Sequence, residues 1–427
     1  MKATPYKKLN ETIFFEQLEN GLEVYILPKK DFHKTVATLT VNYGSVHKEF
    51  SIAGRGDSVI FPDGLAHFLE HKMFDCKDWN VFHRFAEQGA SVNAFTSFTR
   101  TAYTFSATSN IDENLETLLD FVQEPYFTDE AVEKEKGIIE QEIKMYNDTP
   151  GWRARFGVID NLYTSHPVKI DLAGTVASIQ RITKEDLYTC YHTFYHPRNM
   201  LLFVIGPVNP EETIELIRKN QEQKNFPQRV EANCIFAEEN NNVNRRSSTR
   251  QMPVSVPQVF IGYKETNLSR RGQERLKYEL ALNVLLELMF GVSSEAYNTM
   301  YDLGYLDTSF QFEHTNEGDF GFTIIGGNSR EPDKVITCIS ETIHRFKMES
   351  IPEEDAERVI KKEIGRFLSS INSLQFIANQ FTRYRFNEMD LFDVLPALEE
   401  LTKSDLENVL HEHFSDEAQT TVIVKDQ

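Results

Sequence analysis

Within little more than one helical turn stand His67, Glu70 and His71. On an α-helix, positions i and i+4 share a face, so both imidazoles can be presented to one metal ion. Glu70, at i+3 from His67, projects beside them and is placed to take a proton from an attacking water. The order H-x-x-E-H is the mirror of HExxH, and the inverted order occurs among zinc peptidases. A surface helix with two ordinary histidines would carry the same letters, so the motif needs a third ligand from elsewhere.

A catalytic zinc usually takes three protein ligands and keeps one position for water. The acidic stretch 129–146 reads as a helix and offers Glu133, Glu135, Glu140 and Glu142. Val132, Glu135, Ile139, Glu142 and Tyr146 recur at spacings of three and four and so form one stripe. A carboxylate inside an apolar stripe is costly unless it is paired or bound to metal. Glu135 and Glu142 lie two turns apart on that stripe, where one can ligate and the other can steady a ligand from behind. Glu140 points elsewhere. His192 and His196 share the i, i+4 spacing, but no carboxylate lies between them and Pro197 follows, which favours capping. His411 and His413 do not share a helix face and are expected to face solvent.

These side chains must be positioned by a larger frame. The Asn20-Gly21 pair, between runs 13–18 and 22–27, predicts a hairpin, and 34–43 reads as a further strand. Residues 62–64 open the metal helix, which carries Leu65, Phe68, Leu69 and Met73. A second helix over 79–88 stops at Gly89. Strands are predicted over 91–98 and 101–107, helices over 112–122 and 129–146, and a closing strand over 201–206. The same order returns later: a strand over 259–263, helices over 276–290 and 294–303, Gly304, strands over 307–313 and 320–325, then helices over 333–348 and 353–370. The pattern is a degenerate duplication. In register, the positions of His67 and His71 fall near Leu282 or Asn283 and near Leu286 or Glu287, so the second half keeps the scaffold without the ligands. Between the halves, 238–249 is polar and aperiodic. The expected organisation is a metal-binding domain over 1–220, a linker over 221–251 and a repeat domain over 252–427.

Bulk composition narrows the function classes. The 427 residues suit two or three domains, with 40% hydrophobic and 26% charged residues. No run approaches the ~20 apolar residues of a membrane span, and the first residues have no apolar core of a secretory signal. The chain is therefore expected in the cytoplasm. A net charge of −20 opposes nucleic acid and anionic membranes. Four scattered cysteines form no CxxC pair, which argues against a disulfide framework or a cysteine zinc knuckle.

At this point the residues resemble the insulinase or pitrilysin family, which includes mitochondrial processing peptidase. The resemblance rests on His67-Phe-Leu-Glu-His71, on Gly89-Ala-Ser-Val-Asn93-Ala94-Phe-Thr96 with Tyr103, and on the E-x6-E spacing of Glu135 and Glu142. Gly174-Thr175 and Phe194-Tyr-His-Pro197-Arg-Asn199 add to it. In the second half it lies mainly in architecture and in Leu303-Gly304-Tyr305. It implies an α+β chain of two homologous domains, each an antiparallel sheet packed with helices, the mitochondrial processing peptidase/LuxS-like metallohydrolase fold. It also implies one Zn²⁺ per chain on His67, His71 and Glu142, with Glu135 behind them and Glu70 as general base for a metal-activated water. Asn93 and Ala94 would lie on an edge strand that an extended peptide joins, and Tyr305 would bind substrate.

The sequence departs from the family at one point. Active members use an Arg and a Tyr seven positions apart to hold the substrate carbonyl and the oxyanion. Tyr305 fits, but Asn298 stands where the Arg is expected, and a neutral amide cannot replace a guanidinium fork. Arg383-Tyr384 does not reproduce the spacing. The resemblance also implies four domains around a chamber, of which this chain holds two. It is similar to the zinc-bearing subunit of bacterial pairs, with a zinc-less paralogue as heterodimer partner, or a second copy in a homodimer. The competing reading is a non-catalytic peptide-binding or scaffold subunit.

Overall fold

A computed structural model describes residues 1–52 and 58–426. The chain divides into two compact units, each discontinuous in sequence. The first comprises Met1–Ile143, Asp171–Phe236 and Ser370–Phe386; the second comprises Lys144–Ile170, Ala237–Ser369 and Asn387–Gln427. Both are α+β.

The first unit is built on a seven-stranded sheet. Its order is Lys2–Tyr6, Glu11–Gln17, Glu23–Pro28, Met200–Gly206, Thr35–Val41, Thr101–Ala107 and Ala90–Thr96. All neighbours are antiparallel except Glu23–Pro28 with Met200–Gly206. The strands Thr35–Val41 and Met200–Gly206 are buried along their whole length, as expected of central strands covered by helices. Helix Ile111–Gln123 packs on one part of the sheet, and helix Leu374–Phe386 lies against the two central strands. There Phe381 stacks on Phe203 with ring centroids 4.4 Å apart. A small sheet of Ala232–Cys234, Glu49–Ile52 and Ser58–Ile60 completes the unit. The hairpin at Asn20-Gly21 forms as predicted, with Gly21 at φ 93°.

The second unit repeats the central part of this plan. Its sheet runs Ser247–Gln251, Gln419–Lys425, Gln258–Lys264, Phe320–Asn328 and Gln311–Glu317. It again holds one parallel pair, here the first two strands, followed by antiparallel neighbours. Helix Pro150–Leu162 packs across Gln258–Lys264 and Gln419–Lys425. A Cβ on Gly262 would meet the Val158 side chain at 2.2 Å, so this helix approaches the strand where only glycine fits.

Each unit is therefore completed by a helix from the other half of the sequence: Pro150–Leu162 in the second and Leu374–Phe386 in the first. The segment read as a linker contains two short strands, Ala232–Cys234 in the first unit and Ser247–Gln251 in the second. The strand expected over 307–313 begins later, at Gln311, because Asp307 folds a turn in which its Oδ1 accepts from the Ser309 N–H at 2.8 Å. The segment Gly272–Asp302 is long and apolar enough on average to cross a membrane, contrary to the reading above; 72% of its most apolar window is buried, which is how a core helix behaves.

The expectation that His413 faces solvent is wrong. It is 2% exposed, with Nε2 2.7 Å from Thr323 Oγ1 and Nδ1 3.0 Å from the Tyr278 hydroxyl and 3.3 Å from Glu265. On helix Lys403–His413 it continues the stripe of Leu406 and Leu410 at helical spacing, so it turns inward with them.

Candidate metal centre

Two helices of the first unit form the site. The shorter, Leu65–Lys72, buries Leu65, Phe68 and Leu69 on one face. His67, Glu70 and His71 occupy the other. Its start is held by two close backbone approaches. A Cβ on Gly64, at φ 90°, would lie 2.4 Å from the Ala173 carbonyl, and one on Gly174, at φ 73°, would lie 2.4 Å from that of Asp63. Ser178 Oγ donates to the Asp63 carbonyl at 2.8 Å and ties the same loop down. The longer helix, Asp129–Asn147, buries Val132, Ile139 and Ile143. That face sets Glu135 and Glu142 toward the histidines.

The donor atoms converge. His67 Nε2 lies 3.6 Å from Glu142 Oε1, and His71 Nε2 lies 3.6 Å from Glu142 Oε2. One ligand atom from each of His67, His71 and Glu142 falls within 4.8 Å of the others. A separation of 3.6 Å is long for a hydrogen bond. It fits donors that share an ion: ligands about 2.0–2.2 Å from a tetrahedral zinc stand about 3.3–3.6 Å apart. Two imidazoles and one carboxylate form a donor set that suits zinc, with room for a fourth ligand. The imidazoles meet edge to face, with centroids 4.6 Å apart.

Around this triad the remaining residues divide by role. His71 Nδ1 donates to Glu135 Oε1 at 3.0 Å, which fixes the ring with Nε2 toward Glu142, where it could hold an ion. Glu70 is 8% exposed, and its Oε2 accepts from Thr96 Oγ1 at 2.7 Å. Glu140 is not among the converging donors. Burial drives the His67 pKa down to about 4, helped by the His71 charge and opposed by Glu142 and Glu135. Burial also raises Glu70, with the Thr96 hydrogen bond pulling against it. For His71, burial acts to lower the pKa, but Glu135 and the other carboxylates outweigh it and raise it. Glu135 is held low, despite its burial, by His71 and Lys72. A carboxylate that is buried yet hydrogen-bonded could serve as a base in proton transfer.

Among the described residues, the strand Ala90–Thr96 ends the sheet and pairs on one side only, with Thr101–Ala107. Its last residue is the Thr96 that bonds Glu70, so the open edge runs up to the site. Asn93 is exposed and Ala94 half-buried. Asn298 and Tyr305 belong to the second unit. The Asn298 amide donates to the Ser294 carbonyl at 2.8 Å on its own helix, and the Tyr305 carbonyl accepts from Ser329 Oγ at 2.5 Å. His196 caps a short helical turn, its Nδ1 accepting from the Arg198 N–H at 3.2 Å. Two residues near the centre escaped the sequence reading: Thr96, legible only as a motif letter, and Lys72, which no motif singled out.

Comparison with known proteins adds a family to this geometry. Residues 29–176 match the model of Insulinase (Peptidase family M16), and residues 181–363 match that of the Peptidase M16 inactive domain. The chain is 51% identical over 415 residues, 97% of each chain, to the uncharacterized zinc protease YmfH of Bacillus subtilis. It is 26% identical to the zinc protease PqqE of Helicobacter pylori, over 100% of this chain and 95% of that one. A crystal structure of an M16-like peptidase from Alicyclobacillus acidocaldarius superposes with a TM-score of 0.94 at 38% identity, covering 98% of this chain and 99% of the other.

Proposed function

We propose that this chain, which belongs to the insulinase (M16) family of peptidases, is a zinc-dependent endopeptidase that hydrolyses extended peptides or small unfolded proteins. The observation that carries the reading is the convergence of His67, His71 and Glu142 with Glu70 beside them. Zinc held by those three residues would supply the Lewis acidity that makes a water nucleophilic near neutral pH and polarises a scissile carbonyl. Glu70 takes the proton of the attacking water and passes it to the leaving amine. Thr96 holds the Glu70 carboxylate in place through its hydroxyl. Glu135 keeps the His71 ring oriented. The unpaired edge of Ala90–Thr96 suits a substrate bound as an added strand, with Asn93 and Ala94 along it, because main-chain pairing gives affinity without strong sequence demand.

The partner proposal follows from Asn298. An oxyanion site without a guanidinium is incomplete, so a zinc-less paralogue that supplies an Arg/Tyr pair completes it in a heterodimer. Tyr305 takes the substrate-binding role left in this chain. The match of residues 181–363 to an inactive-domain model leaves the competing scaffold reading open. A peptidase assay on unstructured peptides, with the chain alone and with the co-expressed paralogue, each with and without a zinc chelator, tests both. Chelator-sensitive turnover supports the peptidase. A zinc-loaded chain that is silent in every pairing supports the scaffold.

A further inference from the structure

Lys72 ends the metal helix directly after His71, and it is 2% exposed. A lysine at that depth is rare unless its charge is met. Here two carboxylates meet it. Its Nζ forms an ion pair with Asp75 and lies 3.4 Å from Glu135 Oε2. The other oxygen of the same Glu135 group, Oε1, accepts from His71 Nδ1 at 3.0 Å. The two oxygens of Glu135 are thus divided between an imidazole and an ammonium, and Asp75 also pairs with that ammonium.

We infer that Lys72 is a positioning residue for the metal site, acting through Glu135 to fix the His71 ring with Nε2 toward the ion. A carboxylate free to turn about its terminal bond can offer either oxygen to His71 or swing away from it. The ammonium removes that freedom by claiming Oε2. It also offsets the negative charge that Glu135 brings beside His71. Lys72 touches no ligand atom that faces the ion, so its effect is relayed. Groups that hold a metal-bound histidine from behind typically change metal affinity by ~10–100-fold, and Lys72 stands one residue further back, so the lower end is expected. The inference rests on the zinc reading of the site.

The test is zinc competition against a chromophoric chelator on the full chain, for wild type, Lys72→Met, Glu135→Gln and the double variant. Visible absorption of the Co²⁺-loaded forms runs alongside. Methionine fills the volume of the lysine stem without its charge. Lys72→Met should weaken zinc by ~10-fold and alter the cobalt bands. In the Glu135→Gln background the same substitution should add little, because coupled residues are not additive and the route through Glu135 is already cut. Wild-type affinity and bands in Lys72→Met, or an equal loss in both backgrounds, overturns the inference. If Lys72→Met does not fold, Lys72→Gln faces the same two criteria. A wild-type chain that binds no zinc overturns the reading of the site itself, which separates that failure from this one.

Discussion

The two units carry the same pair of helices to different ends. In the first, Leu65–Lys72 and Asp129–Asn147 bring two imidazoles against Glu135 and Glu142. In the second, the corresponding helices are Gly272–Phe290 and Glu353–Ser370. There Glu287, 5% exposed, forms an ion pair with Lys362 and a second with Arg366 at 3.1 Å. A buried carboxylate needs a cation. The second unit supplies one from its own side chains and closes the question within the chain. The first meets Glu135 with Lys72 and His71, but sets Glu142 against two imidazoles, which are good metal donors. Duplication kept the frame, and the identity of a few side chains on these helices decides whether the carboxylate meets Lys and Arg or two imidazoles that could share an ion with it.

The largest test of this contrast is metal content. Elemental analysis of the purified chain should give one zinc, and His71→Ala should strongly reduce it, whereas Glu287→Ala in the second unit should leave it unchanged. Equal occupancy in wild type and His71→Ala would break the comparison.

Next in size is the separation of base from ligand. Glu70→Gln should keep zinc and lose hydrolysis by ~10²–10⁴-fold, measured with the active pairing of subunits. A metal-loaded Glu70→Gln protein with near-normal turnover removes Glu70 from the role of base. On the facing helix, Glu142→Gln should lose metal and Glu140→Gln should retain it, since only Glu142 converges with the histidines. The reverse outcome would mean that the helix presents a different face to the ion.

How much of this was legible in the sequence depends on whether a periodicity or only a position carried it. The i, i+4 spacing of His67 and His71 and the two-turn spacing of Glu135 and Glu142 place these side chains on helix faces, and those faces meet in the first unit. The repeat was readable from the order of elements and from Gly89 and Gly304. The exchange of Pro150–Leu162 and Leu374–Phe386 was not, because neither helix carries a chemical motif and partner choice is a tertiary matter. Lys72 escaped because lysine usually sits on the surface. His413 was misjudged by its spacing to His411; the stripe with Leu406 and Leu410 held the correct signal.

A smaller effect sharpens the second-unit side of the comparison. Lys362→Met leaves the buried Glu287 with Arg366 alone. Removing one partner of a fully buried pair costs about 3–5 kcal/mol. Lys362 is 35% exposed, so solvent screening reduces this to about 1–2 kcal/mol. Urea unfolding should register that loss while zinc content stays at the wild-type value. A fall in zinc with no loss of stability would contradict the division of labour between the units.

The smallest effect concerns pH, and it applies the same idea to another carboxylate of the second unit. Glu239 accepts from the backbone N–H groups of Thr164, Ser165 and His166 at 2.9, 2.7 and 2.7 Å and from Lys264 Nζ at 2.7 Å. Burial alone would raise its pKa, but Lys264 and the three N–H donors hold it down to about 2. A carboxyl group whose folded pKa lies below the unfolded value of 4.5 stabilises the fold fully above that value. The contribution shrinks as pH falls below 4.5 and is gone once the folded group also protonates, near 2. Glu239→Gln should therefore lower the urea midpoint at pH 7, and the gap to wild type should narrow steadily between pH 5 and pH 3. A gap that stays constant over that range would show that Glu239 acts through packing and neutral hydrogen bonds. Its charge would then not be the feature that the second unit satisfies from within.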